Sequence, residues 1–157
     1  NNYERYAVGL ATRAPLGPLE GARYVAYASS RMGRGLVLAR VRWAGVGMLA
    51  VGTTHLESYV GRDFEPETQA SRKAGLREAG LQLEQEAAAH GCVGALLMGD
   101  MNWQDSDTGD PLAVLGSGWS DAWQQLGSPK PVSTMVYGGS WRLDRCFVYN
   151  RPAAAAR

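Results

Sequence analysis

Cysteine is scarce: Cys92 and Cys146 are the only two in 157 residues. Two isolated cysteines make neither a disulfide framework nor the paired spacing of a zinc site. Buried free thiols in a reducing compartment are the expectation. Lysine and histidine are as sparse, with two lysines against fourteen arginines, and His55 and His90 as the only imidazoles. Long hydrophobic runs are absent too. No stretch of about 18 apolar residues occurs, so neither a transmembrane helix nor a membrane partner is expected. The opening residues, Asn1-Asn2-Tyr3-Glu4-Arg5, lack an initiating Met and the basic-then-apolar layout of a signal peptide. The chain therefore reads as starting inside a longer protein.

What is present suffices for one domain, with 45% hydrophobic residues. A net charge of +1 says nothing about nucleic acid, but its distribution is uneven. Residues 1–62 hold eight Arg and three Glu, residues 63–110 ten acids and three bases, and residues 111–157 five bases and two acids. An acidic middle flanked by basic segments suits a metal-bearing site beside a phosphate-binding groove. A general preference for Arg over Lys accounts for the arginine count equally well.

Periodicity predicts an α/β chain. Short apolar or alternating runs at Tyr6–Thr12, Arg23–Ala28, Gly35–Trp43 and Val46–Thr54 read as strands, the last two as a hairpin around Ala44-Gly45. From Glu65 to His90 the chain is rich in Ala, Leu, Glu and Gln, with Ala70, Ala74, Leu76, Leu83 and Ala87 near helical spacing. One long helix is expected there, begun at Pro66, weakened at Gly75 and Gly80, and stopped by Gly91. Val93–Met98 reads as a buried strand, Pro111 opens a short helix, Ser120–Leu126 is another, and Arg142–Tyr149 is the last strand.

Three stretches carry candidate chemistry. Asp100 closes a buried strand and Asn102 follows two residues on, so a carboxylate acceptor and an amide donor could hold a water and steady a phosphate oxygen. An Asx turn leaving the strand is the plain alternative, and Gly99 would permit close backbone approach to a ligand. His55 ends a strand with Ser58 three residues beyond, two donors for a phosphate, or else a surface turn. Asp144 sits on a mostly apolar strand in Trp141-Arg142-Leu143-Asp144-Arg145, and a buried carboxylate needs a partner. Arg142, on the same face by alternation, would make a structural pair; a histidine elsewhere is the other candidate.

Together, Ser29-Ser30-Arg31-Met32, Thr54-His55-Leu56-Glu57-Ser58, Gly99-Asp100-Met101-Asn102, Asp121-Ala122-Trp123 and Leu143-Asp144-Arg145 resemble the endonuclease/exonuclease/phosphatase superfamily. Within it they are most similar to the tyrosyl-DNA phosphodiesterase 2 subfamily, from about Tyr6 to Tyr149. The resemblance implies a two-layer β sandwich flanked by helices, the DNase I-like four-layer fold, present incompletely. It implies Mg²⁺-dependent (Mn²⁺ as an alternative) hydrolysis of a 5′-phosphotyrosyl bond joining a DNA end to a trapped topoisomerase II. Asp100 would activate the water and touch the metal weakly, and Asn102 would orient the water. His55 and Ser58 would contact phosphate, Asp144 would orient a further catalytic histidine, and Arg31 and Trp141 would face substrate. Trp103, Trp119 and Trp141 are candidates for stacking single-stranded DNA, with Trp119 and Trp123 favoured as core. The location implied is nuclear and the expected state a monomer.

The pattern departs from that family in three places. An early strand with Asn and a metal-holding Gln-Glu is not found, nor is a Ser-Asp-His after the last strand, where Pro152-Ala153-Ala154-Ala155-Ala156-Arg157 stands. The subfamily's Thr-Trp pair is Thr134-Met135 here. One carboxylate and an Asn make a poor Mg²⁺ site. The 157 residues thus read as one domain truncated at both ends and inactive alone. Another nuclease or phosphatase of the superfamily, a non-catalytic DNA- or protein-binding derivative, and a piece that does not fold alone are the rival readings.

Overall fold

A computed structural model describes residues 8–59, 65–104, 109–127, 134 and 142–151. Strands β1 (Leu16–Ala26), β2 (Gly35–Trp43) and β3 (Gly47–His55) form an antiparallel meander. Helix α1 (Glu65–Ala89) then crosses to β4 (Gly94–Asp100), which pairs parallel to β3. A short α2 (Pro111–Leu115), β5 (Trp119–Asp121), a one-turn α3 (Ala122–Gln125) and β6 (Asp144–Asn150) complete one sheet of six strands. Its order is β1-β2-β3-β4-β6-β5.

Strand alternation splits the apolar residues between two faces. Leu36, Leu38, Ala50, Ala95, Leu97 and Phe147 point to α1 and form the main core with Leu76, Ala79, Leu83 and Ala87. On the opposite face Ala39, Val41, Leu49 and Val51 are buried beneath Leu10, Leu16 and Leu19. The described residues thus supply one sheet of the expected sandwich with its outer helix, while the second face is covered only by a short N-terminal segment.

Several expectations change. Residues 8–12, the described part of the expected Tyr6–Thr12 strand, are irregular, because β1 already occupies the free edge of β2. Ala70 and Ala74 are exposed; the buried stripe of α1 runs instead through Thr68, Arg72, Leu76, Ala79, Leu83 and Glu86. Two charged side chains on that stripe hid its period. The helix is unbroken at Gly75 and Gly80, because these glycines are packing notches. A Cβ on Gly75 would lie 3.2 Å from both Leu56 and Tyr27, and one on Gly80 2.9 Å from Leu115. Ser120 belongs to β5, and only Ala122–Gln125 are helical. Asp121 caps that turn, accepting the Trp123 amide at 2.9 Å. Among the described residues no helix is long and apolar enough to cross a membrane. Cys92 is buried and Cys146 half-buried, both free, and burial pushes both thiols up.

Glu86 ties the C-terminal end of α1 to the sheet. It takes Arg23 at 2.8 Å and Arg40 on its other oxygen, with His90 Nε2 at 3.5 Å. Burial pushes the Glu86 carboxyl up, but hydrogen bonds from Arg23 and Arg40 outweigh that and hold it below 4.5. With a depressed folded pKa, this stability is fully present above 4.5 and is lost as pH falls through the folded value. Glu86→Gln should therefore cost about 2 kcal/mol in urea unfolding at pH 7. It should also flatten the acid limb of the stability curve; an unchanged midpoint and acid limb would refute the tie.

Candidate active site

Register assembles the site. His55 pairs directly with Asp100 across β3–β4, and Asp100 with Asp144 across β4–β6. By alternation all three side chains leave the face opposite α1. His55 Nε2 stands 3.5 Å from Asp100 Oδ2. The ladder continues past the strand ends: Leu56 N donates to Asp100 O at 2.9 Å and Met101 N to Leu143 O at 2.8 Å. Gly99 is required by this packing. Its φ is +135°, and a Cβ there would lie 1.9 Å from Thr54 O. The close approach expected at Gly99 is to the neighbouring strand, not to a ligand.

The turn reading of Gly99–Asn102 is observed. Asp100 Oδ1 accepts the Asn102 amide at 2.8 Å, an Asx turn, while Oδ2 faces His55. Asn102 adopts φ +45° and is buried. Its Nδ2 donates to Leu56 O at 3.0 Å and to Ser58 Oγ at 3.2 Å. Both amide hydrogens are thus engaged within the protein, so Asn102 ties the β4 turn to the segment after β3 rather than presenting a donor outward. Ser58 Oγ also accepts from the Arg34 guanidinium at 3.0 Å, which directs its own proton away from these two donors.

Burial lowers the His55 pKa below 6.5, and the Arg34 charge lowers it further; Asp100 and Asp144 partly oppose both. At neutral pH His55 is therefore an uncharged imidazole, one donor and one acceptor. A cavity of about 250 Å³ opens beside it, lined by Tyr24, Met32, Arg34 and Val37 among others.

Asp144 is exposed, against the expectation of a buried carboxylate. Arg142 pairs elsewhere: it grips buried Asp121 through two bonds of 3.0 and 2.6 Å, with Arg145 3.7 Å away. Residue 144 lies at the very start of β6, where the strand leaves the sheet, so solvent reaches it. Thr134 Oγ1 accepts the Leu143 and Asp144 amides at 3.0 and 3.1 Å and fixes that start. Arg31 is exposed and bound to Glu67 on α1 rather than to this cluster. Trp141 and Met135 lie outside the described residues. Trp103 is fully buried, donating to Gly109 O at 2.6 Å, and Trp119 is buried against Tyr149 with ring centroids 5.3 Å apart. Neither can stack on a base, because both faces are in the core.

Arg34 was not foreseen. Its signal was a lone cation between Gly33 and Gly35 at a strand start, a spacing with no specific motif. Gly35 is needed there, since a Cβ would lie 2.4 Å from Val25 O.

The described donor set does not fit Mg²⁺. Asp100 has one oxygen in the turn and the other at His55. Among the described residues, no group of three or more His, Cys, Asp or Glu could hold a metal ion. The ion takes about six oxygens, a set these side chains do not provide.

The sheet and α1 have, in part, the fold of solved endonuclease/exonuclease/phosphatase structures. The chain is similar to TDP2 of D. rerio complexed with single-strand DNA product, at TM-score 0.64 and 24% identity, over 88% of this chain and 55% of that one. Truncated TDP2 of Caenorhabditis elegans matches at TM-score 0.64 and 20% identity, over 84% and 52%. The human Nocturnin catalytic domain matches at TM-score 0.59 and 15% identity, over 84% and 48%. The chain spans about half the length of these structures. No family model and no curated protein matches the sequence.

A lowered folded pKa means the unfolded chain takes up the proton first. The stability that His55 contributes is then present above 6.5 and falls as pH drops through the window below it. NMR titration of His55 should give a midpoint below 6.5, and Asp100→Asn should move it lower still by removing an opposing charge. A midpoint that rises in Asp100→Asn would contradict this electrostatic account.

Proposed function

We propose that this chain carries part of the active site of a phosphodiesterase that acts on DNA 5′ ends, with the 5′-phosphotyrosyl bond as substrate. The observation that carries the reading is the row His55–Asp100–Asp144 in direct register, with Asp100 Oδ2 turned to His55. The DNA partner is suggested by the D. rerio TDP2 complex, whose ligand is single-strand DNA. A nuclear location belongs to the same proposal.

Each residue then has a role. Asp100 takes the proton of the attacking water. His55, neutral, donates one N–H to a phosphate oxygen as charge grows on it. The Ser58 hydroxyl supplies a second donor, and Asn102 holds Ser58 and the turn in place. Asp144 orients a group beyond the described residues. Tyrosine, with a phenol pKa of about 10, leaves readily. Because the described donor set does not fit Mg²⁺ or Mn²⁺, no step is assigned to a metal.

That mismatch favours one second reading, a non-catalytic DNA-end or protein-binding derivative. Parallel assays of the full gene product on 5′-tyrosyl and abasic oligonucleotides separate the cases. The proposal expects tyrosine release. It further expects Asp100→Asn to lose roughly 10³-fold in rate and His55→Ala roughly 10²-fold. Preference for the abasic substrate would replace the substrate class, and no cleavage of either would favour the binding derivative.

A further inference from the structure

Glu57 lies between the two phosphate-facing candidates, His55 and Ser58, yet its carboxylate turns inward. Only 3% of it is exposed. Oε2 accepts Ser30 Oγ at 2.6 Å, and Oε1 accepts the consecutive amides of Arg31 and Met32, both at 3.0 Å. A buried carboxylate taking successive backbone N–H groups binds a loop through charge-assisted hydrogen bonds. Ser30 Oγ passes the constraint on, accepting the Arg34 amide at 2.8 Å. The Arg34 carbonyl accepts Tyr27 N at 3.0 Å, closing the loop at its base. Arg34 then reaches back to Ser58 Oγ at 3.0 Å. The circuit leaves the β3 end at Glu57 and returns to it at Ser58.

The anchor itself is held from below. The Glu57 carbonyl accepts Arg72 Nη1 at 3.3 Å, and Arg72 is fully buried on α1 with its guanidinium 4.3 Å from the Tyr59 ring centroid. Ser71, also on α1, donates to Ser29 O at 3.0 Å. Helix, loop and strand end are therefore coupled at one residue, the loop through the Glu57 carboxylate and the helix through its carbonyl.

We propose that Glu57 is a positioning residue whose carboxylate templates the loop of residues 28–34, so that Arg34 is held against Ser58 and beside His55. Arg34 thereby becomes a fixed cation on the wall of the cavity next to His55. The use of that cation for an anionic phosphodiester rests on the function proposed above. The templating of the loop does not.

Amide hydrogen exchange on the 157-residue chain tests the templating without any turnover. In Glu57→Ala, exchange at Arg31 and Met32 should rise about tenfold or more, the effect of losing a hydrogen bond to a charged acceptor. Amides of β2, β3 and α1 should keep their protection. Glu57→Gln keeps an oxygen for both amides and should restore protection at Arg31 and Met32. Unchanged exchange in Glu57→Ala, or an equal rise throughout the sheet, would overturn the proposal. If Glu57→Ala does not fold, Ser30→Ala removes only the bridge, and exchange at Arg34 should rise by a similar factor; no rise there would overturn the proposal as well. In the full gene product, kcat/KM should fall about tenfold in Glu57→Ala and recover in Glu57→Gln. Faster loop exchange in a product that cleaves no phosphodiester would retain the positioning role and remove the proposed function.

Discussion

At Gly99 the backbone of β4 presses so closely on β3 that a side-chain carbon would sit 1.9 Å from the Thr54 carbonyl oxygen. That contact lies one residue before Asp100 and one before His55 on the facing strand. Any larger residue would push the strand ends apart. A one-residue slip in register would turn Asp100 to the α1 face and break the row with His55 and Asp144. Candidate chemistry thus depends on a backbone approach that only glycine allows at φ +135°.

Around that contact, acceptor oxygens are shared between partners. Asp100 divides its oxygens between the Asn102 amide and His55, and Ser58 Oγ takes both Asn102 and Arg34. Each such bond contributes modestly to stability, but a buried group left unmet costs more. The consequence is a row whose side chains have few alternative positions. The second carboxylate system, Asp121 with Arg142 and Arg145, anchors the region that leads into β6 and frees Asp144 to face solvent.

Much of this was legible in the sequence where periodicity was clean. Gly35–Trp43 was read to the residue as β2, and the long helix ended within one residue of Ala89, because alternating apolar residues and an Ala/Leu/Glu run leave little choice. His55, Asp100 and Asp144, singled out by their motifs, stand in register at the strand ends. What stayed hidden was pairing at a distance. Nothing local says that Arg142 seeks Asp121, that Arg31 seeks Glu67, or that Asn102 turns its amide inward. The buried stripe of α1 was misread because Arg72 and Glu86 occupy core positions that a hydrophobic count passes over. Trp103 looked available for stacking, whereas a single hydrogen bond to Gly109 O lets its polar end be buried with the ring.

The central proposal is that a phosphate binds at the strand ends, against His55 and Ser58. Amide chemical-shift mapping with a 5′-phosphorylated oligonucleotide tests it on the folded chain. The account predicts perturbations centred on Arg34, His55, Ser58, Asp100 and Asp144, abolished by His55→Ala. Perturbations centred on the α1–α2 face instead, or none at saturating oligonucleotide, would contradict it.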